Sequence, residues 1–162
     1  MTGPGGWALR PEAYDTADAS ALRRDYYDEV ASRYWQRPAT AAEIDEGLTN
    51  DGVEQLAAPT GQFLVGRYEG KPAACGGVLL LDEERAELTR VFVRPPFRGS
   101  GGSGLLLRGL EDAARELGAR RMVLNTRLDL IEARTLYTRH GYAEIPAYCE
   151  GPYMDIWYGK KL

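Results

Sequence analysis

The chain predicts one mixed α/β domain with an antiparallel beginning, and three observations lead there. At 162 residues with 44% hydrophobic content, it has the length of one domain that buries its own core. Its apolar residues change along the chain between the alternation of strands and the three-to-four spacing of helices. Past the middle, an alternating strand (Leu88 to Val93) stops at Pro95 and Pro96. It crosses Arg98-Gly99-Ser100-Gly101-Gly102-Ser103-Gly104 and turns at once into a helix carrying Leu105, Leu106, Leu107, Leu110, Ala114 and Leu117.

The other elements follow in order. Residues 1–6 read as a loose terminus and Trp7 to Arg10 as a first strand. Asp15 or Thr16 caps a helix with Leu22, Tyr26, Val30 and Tyr34 at fourfold spacing. Thr40-Ala41-Ala42-Glu43 is a capping box for a short second helix. Asp51 to Thr60 reads as loop. Gln62 to Tyr68 and Ala73 to Leu81 are strands around the turn at Glu69 to Pro72, and Asp82 to Arg85 turns into the Glu87 strand. Gly118 stops the long helix, and Arg121 to Thr126 is a short strand. Asp129-Leu130-Ile131-Glu132 reads as a capping box, with Asp129 the cap of a helix that Gly141 closes. Tyr142 to Ile145 and Tyr153 to Tyr158 are the last strands. No internal repeat or second domain is visible, so residues 1–162 form one unit.

Strand, glycine-rich turn and helix N-terminus together make an anion cradle. Glycines let backbone N–H groups approach a phosphate, and the free amides and dipole of the first helical turn favour negative charge. A P-loop needs Lys and Ser or Thr after its last glycine, whereas Leu105 follows Gly104. Gly99 to Gly104 does match the dinucleotide fingerprint G-x-G-x-x-G. That fingerprint belongs near the start of a βαβ unit whose next strand ends in an acid, and here the next strand ends in Asn125 and Thr126. A flexible linker would not be flanked tightly by a strand and an amphipathic helix.

The segment resembles motif A of the GCN5-related N-acetyltransferases, whose pyrophosphate loop is Arg/Gln-x-x-Gly-x-Gly/Ala. Arg98, Gly101 and Ser103 fall on its fixed positions, Ser103 departing from the pattern at the last. ELTRVFVRP is similar to the family's fourth strand, AARELGARRMVLNT to its third helix and fifth strand, and ARTLYTRHGY to its motif B. The resemblance spans about Phe63 to Leu162. It implies the acyl-CoA N-acyltransferase fold, a central mixed and mostly antiparallel sheet. About four helices flank that sheet, which splays between its fourth and fifth strands.

The resemblance also implies the ligand and the site. Acetyl-CoA, the acyl donor, would lie in the splay, its pantetheine arm along the backbone of Val91, Phe92 and Val93. Its pyrophosphate would meet the amides of Gly99, Ser100, Gly101, Gly102, Ser103 and Gly104, with Arg98 making charge-assisted contacts. Acetyl transfer to an amine needs a neutral amine, a stabilised oxyanion and a proton for the departing thiolate. Tyr137, the tyrosine of Leu136-Tyr137-x-x-x-Gly141-Tyr142, is the expected acid. Glu87 is the candidate base, directly or through water. By strand alternation it shares a face with Thr89, Val91 and Val93; the competing reading is a solvated strand-edge acid. Some relatives carry a base twelve residues before the tyrosine, where this chain has Asn125, and an asparagine seven before it, where this chain has Leu130. Both departures count against a close match to the branch that acetylates peptide N-termini. Asn125 would bind cofactor or substrate through its amide, or merely end the strand. Candidate acceptor contacts are Tyr26, Tyr27, Tyr148 and Tyr153, with Tyr34, Trp35, Glu150 and Asp155 nearby in sequence; core or a dimer interface is the equal alternative for most of the aromatics. Arg127 would pair with a substrate carboxylate, or else with Asp129 or Glu132. His140, in a last helical turn, reads as a structural histidine at the dipole's negative end.

Composition bounds the partners. A net charge of −4 lacks the basic face of a nucleic-acid binder and mildly suits cationic amines. The lone histidine and the unclustered Cys75 and Cys149 argue against a metal site and a disulfide framework. No apolar run reaches membrane-spanning length and the first residues lack a signal core, so the cytoplasm is the expected compartment. Neither cysteine sits in a Cys/His nucleophile pattern, which favours direct transfer in a ternary complex to a small primary amine. A protein or peptide acetyltransferase and a non-catalytic acyl-CoA sensor are the alternatives. Dimers are common in the family, so a homodimer is compatible with the sequence.

Overall fold

The caps anticipated for the first two helices form. In a computed structural model that describes residues 4–162, strand β1 (Trp7–Pro11) leads to α1 (Ala17–Trp35), whose cap is Thr16. The Thr16 hydroxyl accepts the Ala19 N–H at 3.1 Å. Helix α2 (Ala41–Thr49) opens on a complete capping box. Thr40 accepts from the Glu43 N–H at 3.2 Å, and the Glu43 carboxylate accepts from the Thr40 N–H at 2.9 Å. The expected loose terminus lies partly outside the described residues, and Pro4–Gly6 make a short 3-10 turn. Val53–Gln55 make another, inside the expected loop.

Strands β2 (Gly61–Tyr68), β3 (Lys71–Leu80) and β4 (Arg85–Val93) form an antiparallel meander. Helix α3 (Gly102–Glu116) carries the chain over to β5 (Arg121–Thr126), which lies parallel to β4. Then come α4 (Ile131–Arg139), β6 (Ala143–Ile145) and β7 (Ile156–Lys161). The seven strands make one sheet in the order β1-β2-β3-β4-β5-β7-β6.

Two local expectations fail for physical reasons. Asp129 does not cap α4: the guanidinium of Arg127 grips both its oxygens at 2.8 Å, and Leu130 takes the cap position without a side-chain bond. The last strand starts at Ile156 rather than Tyr153, because Tyr153 turns the chain with φ 68°.

Each sheet face has its own core. On one face, Leu106, Leu107 and Leu110 of α3 pack on Ala74, Val78, Ala86, Leu88 and Leu124, and Tyr137 and Tyr142 extend this core. On the other, Ala19 and Leu22 of α1 meet Phe63, Val65, Cys75 and Phe92. Burial of each large apolar side chain contributes about 1.5–3 kcal/mol, so these two layers hold the sheet from both sides.

A carboxylate lies inside the α3-side core. Glu111 of α3 is buried, accepting from the Tyr142 hydroxyl at 2.8 Å and from Lys160 Nζ at 2.9 Å. Removing Lys160 leaves a carboxylate out of water with its counter-charge gone. Lys160→Met should therefore lose about 2–3 kcal/mol in urea unfolding, at or below the lower end of the range of about 3–5 kcal/mol for a broken buried pair because Lys160 is partly exposed. The double variant with Glu111→Gln should recover more than half. Equal losses in the single and double variants would deny Glu111 that charge role.

Candidate active site

The site begins where β4 and β5 part. They pair only from Arg85 with Arg121 to Glu87 with Val123. Beyond Glu87, β4 diverges, so the outer backbone edge of Val91, Phe92 and Val93 borders a groove of about 1080 Å³. The cause is a bulge. Cys75 of β3 pairs with Phe92 but Gly77 pairs with Thr89, so two β4 residues, Arg90 and Val91, stand opposite Gly76. Arg90 adopts φ 56°, unusual outside glycine, and its guanidinium binds the Asp51 carbonyl while lying 3.7 Å from the Asp51 carboxylate.

The bulge overturns the shared face predicted for Glu87, Thr89, Val91 and Val93. Ala86 and Leu88 belong to the α3-side core, so Glu87 between them points to the α1 side. After the bulge the alternation is reset: Val91 and Val93 pack on the α3 side and Phe92 on the α1 side.

The glycine-rich turn borders the same groove through Gly99, Gly101, Ser103 and Gly104. Gly99 and Gly101 have φ of 79° and 88°, and Gly101 caps α3 without any side-chain bond. The first-turn amides therefore face the groove with no capping side chain across them, which suits an anionic phosphate. Ser100 and Gly102 also brace the loop. Trp7 donates its indole N–H to the Ser100 hydroxyl at 3.0 Å, and a Cβ on Gly102 would fall 2.2 Å from the Trp7 ring. Sequence reasoning missed Trp7, whose place on β1 carries no local sign of contact with a turn some ninety residues on; the separation is 93. Arg98 lines the groove but is committed across it, donating to the Val93 carbonyl at 2.8 Å and to Glu29 of α1 at 2.7 Å.

Tyr137 reaches the groove from α4 on the α3-side face, stacked edgewise on Tyr142 and tilted against Tyr158. Burial, with a smaller contribution from neighbouring Tyr26, raises its phenol above the usual range, so it stays protonated. Glu87 comes from the opposite face, at the fork itself. Its carboxylate accepts a 2.6 Å hydrogen bond from the Tyr148 hydroxyl, and the Asn125 amide lies 3.5 Å from that hydroxyl. Burial, then the Glu87 carboxylate, hold the Tyr148 phenol above its ordinary value. Three predicted residues, Glu87, Asn125 and Tyr148, thus meet from β4, β5 and the loop before β7. Arg127 is not open to a substrate carboxylate: besides Asp129 it donates to the Val30 carbonyl at 2.6 Å, and it is only 6% exposed. Tyr26, Tyr27 and Tyr153 line a second, smaller cavity beside the groove. His140 lines the loop end of the groove near Gly104 and Arg108, and burial lowers its tendency to protonate.

Residues 19–142 match the model of the acetyltransferase (GNAT) family. The chain belongs to that family. It is 33% identical over 102 residues to an IAA acetyltransferase of Azospirillum brasilense, a match covering 62% of this chain and 65% of that protein. Its fold superposes with TM-score 0.73 on a putative acyl-CoA N-acyltransferase of Klebsiella pneumoniae, at 28% identity and covering 96% and 97% of the two chains. A GNAT acetyltransferase of Elizabethkingia anophelis solved with acetyl-CoA bound gives TM-score 0.66 at 17% identity, covering 97% and 99%, a likeness of fold.

For a GNAT protein, the groove has what coenzyme A requires: an unpaired strand edge for the amide-bearing arm and uncapped helix amides for the pyrophosphate. Among the described residues no cluster of His, Cys, Asp or Glu could hold a metal, and no helix is long and apolar enough to cross a membrane. Cys75 is buried, and burial pushes its thiol up to about 12, far from a nucleophilic thiolate.

Gly102→Ala should drive a methyl group into the buried Trp7 ring. We expect a loss of about 1–3 kcal/mol, read as a lower urea midpoint at unchanged slope, together with weaker acetyl-CoA binding. An unchanged midpoint would show that Trp7 yields freely and does not brace the loop.

Proposed function

We propose that the protein is an acetyl-CoA-dependent N-acetyltransferase that moves an acetyl group to the primary amine of a small molecule by direct transfer in a ternary complex. The observation that carries the reading is the fork. Glu87 stands where the strands part, Tyr137 approaches the same groove from the opposite face, and the uncapped amides of the glycine loop border it.

In this reading the loop amides hold the pyrophosphate and the β4 edge aligns the pantetheine arm. The amine nitrogen attacks the thioester carbonyl; the new C–N bond forms and the C–S bond breaks. Tyr137 gives its proton to the departing sulfur. The proton lost by the amine goes to Glu87, through water or across the Tyr148 hydroxyl that already bonds it. Asn125 orients Tyr148. Burial removes Cys75 as an acetyl carrier, and Cys149 sits in no Cys/His nucleophile pattern, which supports direct transfer.

Thiol release from acetyl-CoA, with product mass, against amino acids, polyamines, aminoglycosides, arylamines and short peptides is the deciding measurement. Acceptor-dependent release with an acetamide product sustains the transferase reading. Acetyl-CoA binding without transfer to any acceptor would favour a sensor, and transfer to peptides alone would move the acceptor class. As a control on the donor site, Gly101→Glu should abolish acetyl-CoA binding through steric and charge conflict with the pyrophosphate.

Tyr137→Phe should lower kcat by about 10²–10⁴-fold, the usual worth of a positioned acid, with the KM for acetyl-CoA changed far less. Because burial raises the Tyr137 pKa, the acid form persists as pH rises. In the wild type kcat/KM should climb with the neutral fraction of the amine, without a falling limb below pH ~10, the ordinary tyrosine value. An unchanged kcat in the variant would remove Tyr137 from the proton transfer.

A further inference from the structure

The second cavity, about 240 Å³, shares Tyr26, Val30, Asn125, Thr126 and Leu130 with the acyl-donor groove, so an acceptor held there opens directly onto the fork. Its remaining walls are largely aromatic: Tyr27, Tyr34 and Trp35 from α1, and Tyr153 from the loop before β7. Tyr34 and Tyr153 meet edge to face, centroids 4.8 Å apart at 90°, at the exposed end.

The charges around this cavity decide what it accepts. No carboxylate lines it. Its one charged wall residue, Arg127, is neutralised by Asp129 through two bonds of 2.8 Å, has its remaining terminal nitrogen on the Val30 carbonyl, and lies with its guanidinium 5.3 Å from the Tyr34 ring centroid. Asp155, close in sequence, accepts the Leu128 N–H at 3.0 Å and is not in the wall. A second ammonium would find no carboxylate in the wall itself, Glu43 and Glu46 lying near Tyr27 outside it, and a carboxylate would have to displace Asp129. A flat ring loses nothing polar and gains aromatic contact on several sides. The volume lies below the roughly 300–1,000 Å³ of drug-sized pockets, which suits one small ring system on a short arm.

We infer that the acceptor is an arylalkylamine, a primary amine on a short arm from an aromatic ring, with no second charge. This rests on the transferase reading and narrows its substrate. The apolar wall also helps the chemistry, since desolvation disfavours the ammonium form and leaves more of the neutral nucleophile.

The test is thiol release by the full chain with acetyl-CoA, using tryptamine and phenethylamine against tryptophan, phenylalanine, spermidine and an alanine-initiated peptide. We expect kcat/KM for tryptamine to exceed that for tryptophan and spermidine by about 100-fold, within the range an apolar pocket can discriminate. Tyr34→Ala and Tyr153→Ala, both at exposed positions where folding is safe, should each raise the KM for tryptamine about tenfold. Preference for spermidine, tryptophan or the peptide would overturn the inference and leave the transferase standing. If no acceptor releases thiol, calorimetry of tryptamine on the coenzyme A complex decides. Saturable binding lost in Tyr34→Ala supports the aromatic pocket without the reaction, and absence of binding overturns it.

Discussion

The structure depends on a parallel strand pair that is left unfinished. β4 and β5 share three residue pairs and then separate. An open strand edge inside a sheet is ordinarily a liability, because its N–H and C=O groups invite another strand. Here the edge is covered by side chains rather than by backbone. Arg98 bonds the Val93 carbonyl and pairs with Glu29 of α1, and Arg33 of α1 pairs with Glu132 of α4 at 2.8 Å across the same groove. These ion pairs are substantially exposed, and pairs of that kind contribute about 0–1 kcal/mol each. A cover that weak can be exchanged for an anionic ligand at small cost, whereas a further paired strand could not.

The fork also sets the proposed acid and base on opposite faces of the sheet. The bulge at Arg90 reverses the facing of β4, so Val91 and Val93 pack toward α3 while Glu87 points toward α1. Tyr137 stands on the first side and Glu87 on the second. A thioester threaded through the fork would present its sulfur to one face and its carbonyl to an amine from the other. Tyr137 packs between Tyr142 and Tyr158, and its burial keeps the phenol neutral and able to donate. The carboxylate is confined to the Tyr148–Asn125 side.

How much of this can be read from the chain follows from how local each cause is. The glycine loop, the Thr40–Glu43 box and the Leu136–Tyr142 pattern are visible because each is completed within a few residues. The order of elements along the chain was legible for the same reason, since turns and caps punctuate it, whereas the place of β7 between β5 and β6 in the sheet was not. The Arg90 bulge was not, because its φ of 56° comes from pairing with β3 and from Asp51, far back in sequence. Asp129 carried the right spacing for a cap, but Arg127 competes two residues away, and a bidentate guanidinium bond outweighs an N-cap contact. The grip of Trp7 on Ser100 joins the first strand to the loop and has no signature in either segment.

The acceptor side is built differently from the donor side. The glycine loop, the fork and Tyr137 stand on β4, α3 and α4, whose side chains lie in the larger core. The aromatic cavity takes its distinguishing walls from the C-terminal end of α1 and the segment before β7, where Tyr34 and Tyr153 are half exposed, at 50% and 55%. Substitutions there cost little stability, because exposed side chains carry little of the folding energy. Yet each changes the surface an amine would meet within reach of Asn125 and Thr126. Arg127 is the exception. Its place in the wall depends on Asp129, Val30 and Tyr34 together, so a chain that kept Arg127 but lost Asp129 would expose a free guanidinium beside the fork. In such a chain the same cavity would select for a carboxylate next to the amine.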